Sequence, residues 1–162
     1  IAGFELAIRH SKYDVKGKKV FILGAGGVAS SIILALEKME ALKIFVSNRT
    51  KKKAEDLKNY FNNLEIINWG RYPNFDMIIN ATSVGLKNEE EIKLDLKNIG
   101  NDKFFYDVIY NPKHTKFLKR AKEIGNKIEN GKMMFIYQAH QAFTIWHKVM
   151  PDIDEETIRL LD

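Results

Sequence analysis

The chain has 162 residues, 45% of them apolar, which is enough for one domain with its own hydrophobic core. It contains no cysteine, and its four histidines lack the spacing of metal ligands, so we expect neither disulfides nor a metal site. The 26 Lys and Arg residues against 21 Asp and Glu residues give a net charge of +5, but no aromatic residues interleave a basic stripe, and we therefore expect no nucleic-acid partner.

No apolar run is long enough to cross a bilayer, and the first residues, IAGFELAIRH, lack the charged-then-apolar order of a signal peptide. We therefore expect a cytoplasmic protein that has no membrane partner.

Strand-like and helical patterns alternate along the chain. They predict a strand over 19–23, a helix over 28–39, a strand over 43–47, a helix over 51–61 and a strand over 64–69. A turn over 71–74 precedes predicted strands over 75–80 and 103–107, a helix over 114–124, a short strand over 127–129 and helices over 133–147 and 154–161. The expected fold is α/β: a Rossmann-like doubly wound, mostly parallel six-stranded sheet with C-terminal helices.

A glycine-rich turn joins the first predicted strand to the first predicted helix. It consists of Gly24, Ala25, Gly26, Gly27, Val28 and Ala29, which fit the G-x-G-x-x-G/A fingerprint of dinucleotide-binding proteins. In that motif Gly24 permits the tight turn, Gly26 lets the backbone approach a pyrophosphate, and Ala29 allows close packing of the helix on the sheet. A glycine turn that binds no ligand is the alternative.

The end of the second predicted strand indicates which dinucleotide would bind. An NAD site usually has Asp or Glu there for the ribose 2′-hydroxyl, whereas this chain has Asn48, Arg49 and Thr50, followed by Lys53. The Arg49 guanidinium can bind a 2′-phosphate, Lys53 can add a second cation, and Thr50 can cap the next helix. The cluster predicts NADP as the cofactor, with an exposed basic helix start as the alternative.

Five sequence blocks carry a resemblance to a known family. They are Gly24-Ala25-Gly26-Gly27 with Ala29; Asn48-Arg49-Thr50 with Lys53-Ala54; NATSVG over 80–85; DVIYNP over 107–112 with Thr115 and Leu118; and Gln138-Ala139 with Ala142-Phe143 and Trp146. Through these blocks, which occur in the family's order, nearly the whole chain resembles the C-terminal, NADP-binding part of the shikimate dehydrogenase family. A close relative acting on quinate shares the pattern.

The resemblance implies site residues beyond the first two blocks. Further cofactor contacts are expected from Asn80, Ala81, Thr82, Ser83, Val108, Tyr110, Gly131 and Met134. Tyr110 is also expected near the substrate, together with Gln138, and Thr115 is expected to help start a helix. The competing interpretations are a strand-end turn for the block at 80–83, a buried core tyrosine for Tyr110 and a polar helix face for Gln138.

The sequence departs from the family pattern in two places. The family's catalytic lysine and aspartate precede a Gly-Phe pair, and this chain has Gly3-Phe4 near its start without the preceding Asn-Thr-Asp-Gly segment. We expect one NADP-binding domain over 1–162, with an interdomain helix in 1–15, C-terminal helices over 133–162 that pack toward a substrate domain, and no catalytic residue of its own. Met133 stands where the family often has a glycine beside the nicotinamide.

The resemblance implies an NADP-dependent oxidoreductase that reversibly reduces 3-dehydroshikimate to shikimate, in the synthesis of chorismate and aromatic amino acids. We expect these residues alone to bind NADP(H) without turnover. A quinate dehydrogenase and a non-catalytic NADP-binding module are the alternatives, and a homodimer that covers the exposed cleft face stays open.

Overall fold

Six parallel strands form the centre of the fold in the computed structural model, which describes residues 1–162. The strands are β1 (Lys19–Leu23), β2 (Lys43–Ser47), β3 (Leu64–Ile66), β4 (Met77–Asn80), β5 (Phe104–Asp107) and β6 (Lys127–Glu129). Their order across the sheet is β3-β2-β1-β4-β5-β6, and every neighbouring pair is parallel. The predicted Rossmann-like α/β fold is confirmed, and the sheet is parallel throughout rather than mostly parallel.

The helices are α1 (Ala2–His10), α2 (Gly27–Lys38), α3 (Lys51–Leu57), α4 (Lys116–Ile124), α5 (Lys132–His147) and α6 (Glu155–Arg159). Helix α3 is shorter than predicted because the amides of residues 58–60 bond to carbonyls three positions back, which tightens the chain into turns. Helix α1 crosses α5 where Gly3 lies against Gln138. None of these helices combines the length and the apolar character that crossing a bilayer requires.

Two hydrophobic clusters cover the two faces of the sheet, as the uninterrupted apolar strands require. Alternate residues of β1 divide between them: Val20 and Ile22 face the larger cluster, and Phe21 and Leu23 face the smaller one. Helices α1, α2, α3 and α5 cover the larger cluster, while α4 covers part of the smaller one.

The connection from β4 to β5 contains no helix, although it crosses over one face of the sheet. Ile92, Leu94 and Leu96 are buried at alternate positions of this connection and complete the smaller cluster. Its first part begins at the carboxyl end of β4, and Ala81, Thr82 and Ser83 there line the cavities described below.

The chain leaves β1 toward one side of the sheet and β4 toward the other, although the two strands are neighbours. Their carboxyl ends lie side by side, with Leu23 paired to Asn80 and the Ala81 amide donating to the Leu23 carbonyl at 2.8 Å. Such a switch point opens a crevice between the two outgoing loops, where folds of this kind bind ligands.

Candidate functional site

The turn after β1 packs directly against the loop after β4. Gly24 has φ +112°, and its amide donates to the Ser47 carbonyl at 2.8 Å. A Cβ at Gly24 would lie 2.8 Å from the Ala81 carbonyl oxygen, so both the backbone conformation and the space favour glycine there. Gly24 itself is buried, and its part in the site is to shape the turn.

The beginning of α2 is open to solvent. Gly26 is its N-cap residue, no side chain caps the helix, and a Cβ at Gly26 or Gly27 would meet nothing within 4 Å. Gly26, Gly27 and Val28 are exposed, so the first amides of α2 and the positive end of its dipole face open space. Ala29 is fully buried in the larger cluster and packs α2 onto the sheet, the packing role predicted for it.

The four cations at the start of α3 divide into two paired and two unpaired side chains. Lys51 forms an ion pair with Glu55 and Lys52 forms one with Asp56, both between successive turns of α3. Arg49 and Lys53 form no ion pair. The positive charge that a ligand would meet here is therefore that of Arg49 and Lys53.

The prediction that Thr50 caps α3 through its side chain is wrong. Thr50 is the N-cap residue with extended backbone, but its hydroxyl accepts no hydrogen bond from the helix. The Asn48 side-chain amide instead donates to the Thr50 carbonyl at 2.9 Å and closes the turn after β2. The Thr50 hydroxyl has no helix partner and lies in the wall of the first cavity.

The first cavity lies between the turn after β2 and the loop after β4 and has a volume of about 410 Å³. It contains most of the residues predicted to bind the adenosine half of NADP. Its wall is formed by Gly26, Asn48, Arg49, Thr50, Lys53, Trp69, Thr82, Ser83, Val84 and Glu90.

The second cavity lies between the loops after β4 and β5 and has a volume of about 440 Å³. Its wall is largely apolar and is formed by Val28, Ala81, Thr82, Ser83, Leu86, Val108, Ile109, Tyr110 and Asn111. Thr82 and Ser83 line both cavities, so the two are neighbours along the carboxyl edge of the sheet. Residues predicted from separate sequence blocks thus meet around one elongated groove.

A buried hydrogen-bond network holds the two loops between which the second cavity lies. Asn80 is fully buried; its Nδ2 donates to the Val84 carbonyl and to Asp107 Oδ1, both at 3.1 Å. Its Oδ1 accepts from the amide and the hydroxyl of Thr82, at 3.0 and 2.6 Å. Asn80 therefore shapes the loop, and its side chain is not available to a ligand.

Asp107 connects this network to the loop after β5. Its Oδ1 also accepts from the Ile109 amide at 3.0 Å, and its Oδ2 accepts from the Thr115 hydroxyl at 2.6 Å. Burial raises the pKa of Asp107 to about 6, against the opposing effect of the hydrogen bonds from Thr115, Ile109 and Asn80. Thr115 in turn caps α4 by accepting from the Leu118 amide, which confirms that it helps start that helix.

Gly131 is the N-cap residue of α5 and lies close against the loop after β5. A Cβ at this position would overlap the Val108 carbonyl, so only glycine lets α5 approach the loop after β5 this closely. Met133 and Met134 follow within α5 and belong to the larger hydrophobic cluster, where they are 3% and 7% exposed. Met133, which stands where the family often has a glycine, therefore has its side chain in the core. The glycine that contacts Val108 is Gly131.

Tyr110 and Gln138 lie in different surroundings. Tyr110 is half-buried, lines the second cavity and stacks on Phe135 with 4.8 Å between ring centroids and 29° between ring planes. Gln138 is exposed at the crossing of α1 and α5 and lines neither cavity. A Cβ at Gly3 would lie 2.5 Å from its Cγ. The structure thus places Tyr110 in the groove and Gln138 outside its walls.

Sequence reasoning gave no role in this region to Trp69, Leu86, Glu90 or Phe135. Trp69 follows β3 and Glu90 lies in the crossover loop, so neither belongs to a dinucleotide-binding motif. Phe135 lies in α5, one helical turn before Gln138. An aromatic residue in a helix is usually interpreted as part of the core, so Phe135 gave no signal of a site. Elsewhere, no group of three His, Asp or Glu side chains gathers closely enough to hold a metal ion.

Comparison with known proteins gives close relatives over the whole chain. A shikimate dehydrogenase (NADP(+)) of Pelagibacter ubique is 59% identical over 162 residues, which cover 100% of this chain and 61% of that protein. The crystal structure of shikimate dehydrogenase from Aquifex aeolicus matches with a TM-score of 0.86 at 36% identity, covering 99% of this chain and 59% of that one.

A crystal structure of shikimate 5-dehydrogenase from Thermus thermophilus in complex with NADP(H) and shikimate matches with a TM-score of 0.86 at 29% identity. The match covers 99% of this chain and 61% of that one. The chain therefore spans about three fifths of the length of the relatives it matches.

The sequence pattern that defines the family described as shikimate / quinate 5-dehydrogenase matches residues 5–116, well over half of the chain. The match includes the glycine turn, the basic cluster after β2 and the network around Asn80 and Asp107. The chain therefore belongs to the shikimate / quinate 5-dehydrogenase family.

Proposed function

We propose that this chain is the NADP(H)-binding domain of a shikimate dehydrogenase. The observation that carries the proposal is a groove with unpaired Arg49 and Lys53 in one cavity, Tyr110 in the next, and Thr82 and Ser83 between them. A dinucleotide needs two adjoining cavities because its two halves are joined end to end through a pyrophosphate. The NADP(+) in the names of the curated relatives supports the same cofactor.

The residues present fit that cofactor. The open start of α2 at Gly26 offers backbone amides and the helix dipole to the pyrophosphate. Arg49 and Lys53 offer uncompensated positive charge to the 2′-phosphate, and no carboxylate stands after β2 to accept from a ribose 2′-hydroxyl in the manner of an NAD site. The apolar walls around Val28, Leu86 and Ile109 suit the nicotinamide end and exclude water from it.

When bound, NADP(H) supplies or accepts the hydride, and the residues of this chain hold and orient its nicotinamide ring. Reduction of a ketone also needs a proton donor within hydrogen-bond reach of the developing alkoxide. The wall of the second cavity contains no lysine, histidine or carboxylate. The resemblance to the family implies a lysine and an aspartate for the proton transfer, so we assign that step to groups outside these residues and expect Tyr110 and Gln138 to contribute substrate contacts only.

The C-terminal half of α5 has an unusual surface that bears on the domain arrangement. Phe143, Ile145, Trp146, Val149 and Met150 are large apolar side chains on or just after α5 and are between 44% and 81% exposed. Since the relatives are longer by about two fifths of their length, we assign this surface to contact with the substrate domain of the full-length protein. Gln138 on the same helix would then face the cleft between the domains.

A paired assay of binding and turnover tests the proposal. NADPH fluorescence reports binding to the chain, and absorbance of reduced nicotinamide reports oxidation of shikimate, and then of quinate, by NADP. The proposal predicts saturable NADPH binding without turnover by the chain alone, and turnover when the full-length protein is used. Absence of binding would overturn the cofactor assignment, whereas rapid turnover by the chain alone would overturn the assignment of proton transfer to other residues.

A further inference from the structure

One carboxylate lines the cavity that holds Arg49 and Lys53. Glu90 belongs to the crossover loop, is half-buried, and stands in the cavity wall together with Trp69 and Val84. A carboxylate repels a phosphate, so Glu90 cannot be part of the phosphate site. The wall therefore contains a hydrogen-bond acceptor that the phosphates of NADP do not explain.

The surrounding loop turns Glu90 toward the cavity while holding its neighbours elsewhere. The Glu89 carbonyl accepts from Lys116 Nζ at 3.3 Å, and the Glu91 carboxylate forms an ion pair with Arg120, so both neighbours are fastened to α4. The Glu90 amide donates to the Lys87 carbonyl at 3.0 Å and closes a turn between them. Of three consecutive glutamates, only Glu90 lines this cavity.

The Glu90 carboxylate is only partly satisfied by the protein. Its Oε2 accepts from the Gly85 amide at 3.2 Å, which fixes the carboxylate against the loop after β4. No protein donor reaches its Oε1, and Glu90 forms no ion pair with Arg49 or Lys53. A carboxylate oxygen accepts hydrogen bonds only, so the ligand group that completes it must be a donor.

We propose that Glu90 selects the base of the cofactor by accepting a hydrogen bond from the exocyclic amine of adenine. The amine is the hydrogen-bond donor that adenine carries at its six position, and the planar groups of Arg49 and Trp69 in the same wall suit a flat aromatic ring. This inference rests on the proposed NADP(H) site and adds a residue that determines base specificity within it.

The test compares NADP with its hypoxanthine analogue, which carries an oxygen acceptor where adenine carries its amine. Calorimetric titration measures the ratio of the two dissociation constants for the unchanged chain, for Glu90→Gln and for the control Glu89→Gln. The ratio cancels any general effect of removing a negative charge near the phosphates. The control removes the same charge from an exposed neighbour that lines neither cavity.

The unchanged chain and Glu89→Gln should bind NADP roughly tenfold more tightly than the analogue, because a carboxylate accepts from an amine and repels a carbonyl oxygen. Glu90→Gln should bring the two affinities to within about twofold, since an amide can accept from the amine or donate to the oxygen. Unaltered circular dichroism would show that the variant is folded.

Equal affinities in the unchanged chain, or a ratio that Glu90→Gln leaves intact, would overturn the inference while NADP binding itself stands. Stronger binding of both dinucleotides by Glu90→Gln at a constant ratio would show that Glu90 acts only as a repelling charge, which also overturns it. Failure of the unchanged chain to bind either dinucleotide would instead overturn the proposed function and this inference with it.

Discussion

The two ends of the parallel strands both have a cavity with basic side chains, yet only one has the features of an anion site. At the amino end, a cavity of about 470 Å³ is lined by Arg9, Lys12, Lys16 and Lys38 together with Asp14 and Glu40. At the carboxyl end, the cavity of about 410 Å³ contains Arg49, Lys53 and Glu90. Judged by the number of cations alone, the amino end would be the better site.

The direction of the helices reverses that judgement. Arg9 lies in the last turn of α1 and Lys38 in the last turn of α2, where cations complement the negative ends of the helix dipoles. Lys16 is held by Glu40 at 2.8 Å, and that hydrogen bond raises the pKa of Lys16. The carboxyl end instead has the uncapped start of α2, whose first amides face the same cavity as Arg49 and Lys53. An open helix start beside cations, rather than the number of basic residues, therefore identifies the anion site.

Blocking the start of α2 is the most severe way to break the carboxyl-end site. In Gly26→Val the side chain would enter the space that a pyrophosphate needs, and nothing within 4 Å opposes the new Cβ. We expect NADP affinity to fall roughly a thousandfold, about 4 kcal/mol of binding free energy, with an unchanged circular dichroism spectrum. Normal binding by a folded variant would mean that the glycine turn is structural only.

The buried carboxyl of Asp107, which holds the loops at the carboxyl end, makes the stability of the fold depend on pH. Its pKa is raised to about 6 by burial, so the native state holds the proton more tightly than the unfolded chain. As pH rises from about 4 to about 6, Asp107 should lower the free energy of unfolding by about 3 kcal/mol in total. Urea denaturation across this range should show that slope in the unchanged chain and lose it in Asp107→Asn. If the free energy of unfolding changed with pH equally in the two proteins, the buried environment described for Asp107 would be contradicted.

Replacing one unpaired cation and, as a control, one paired cation compares the contributions of the two kinds of charge to NADP binding. Arg49→Ala should weaken NADP binding roughly 30-fold, about 2 kcal/mol, and leave NAD binding within threefold, because only NADP carries the 2′-phosphate. Lys52→Ala is the matched control, since Lys52 carries the same charge but is paired with Asp56 on the outside of α3. Equal losses for both dinucleotides, or an equal effect of the control, would contradict the assignment of Arg49.

The smallest effect is expected at the amino end. The double variant Lys12→Ala/Lys38→Ala removes two positive charges from that cavity, which lies at the opposite end of α2 from the glycine turn. NADP affinity, measured by the same titration at physiological ionic strength, should change by less than about twofold because charges beyond a Debye length are screened. A larger loss would show that the amino end takes part in binding.

Much of the fold follows from local sequence patterns. The bounds of β1, β2 and β6 agree with the prediction residue for residue, because each strand is a short apolar or β-rich run that stops at a turn. The predicted β3 and β4 are longer than observed. Ladder pairing depends on the neighbouring strand as well as on the run itself, and the ladder between β3 and β2 covers only Leu64 to Ile66.

The site was only partly predictable for a related reason. Gly26, Arg49 and Thr82 stand within short motifs whose spacing carries their chemistry. Trp69 and Glu90 reach the same cavity from two loops without such a motif, and their neighbourhood exists only once the sheet has formed. Asn80 was predicted as a cofactor contact, and the structure shows instead that its hydrogen bonds are all used within the protein.

The groove at the carboxyl end should bind NADP(H) through the unpaired charges of Arg49 and Lys53. Calorimetric titration of the unchanged chain with NADP and with NAD, in the same buffer and at the same ionic strength, tests it most directly. We predict one site per chain and at least roughly tenfold tighter binding of NADP, as charge-assisted hydrogen bonds to the 2′-phosphate require. Equal affinities for the two dinucleotides, or no binding of NADP, would contradict it.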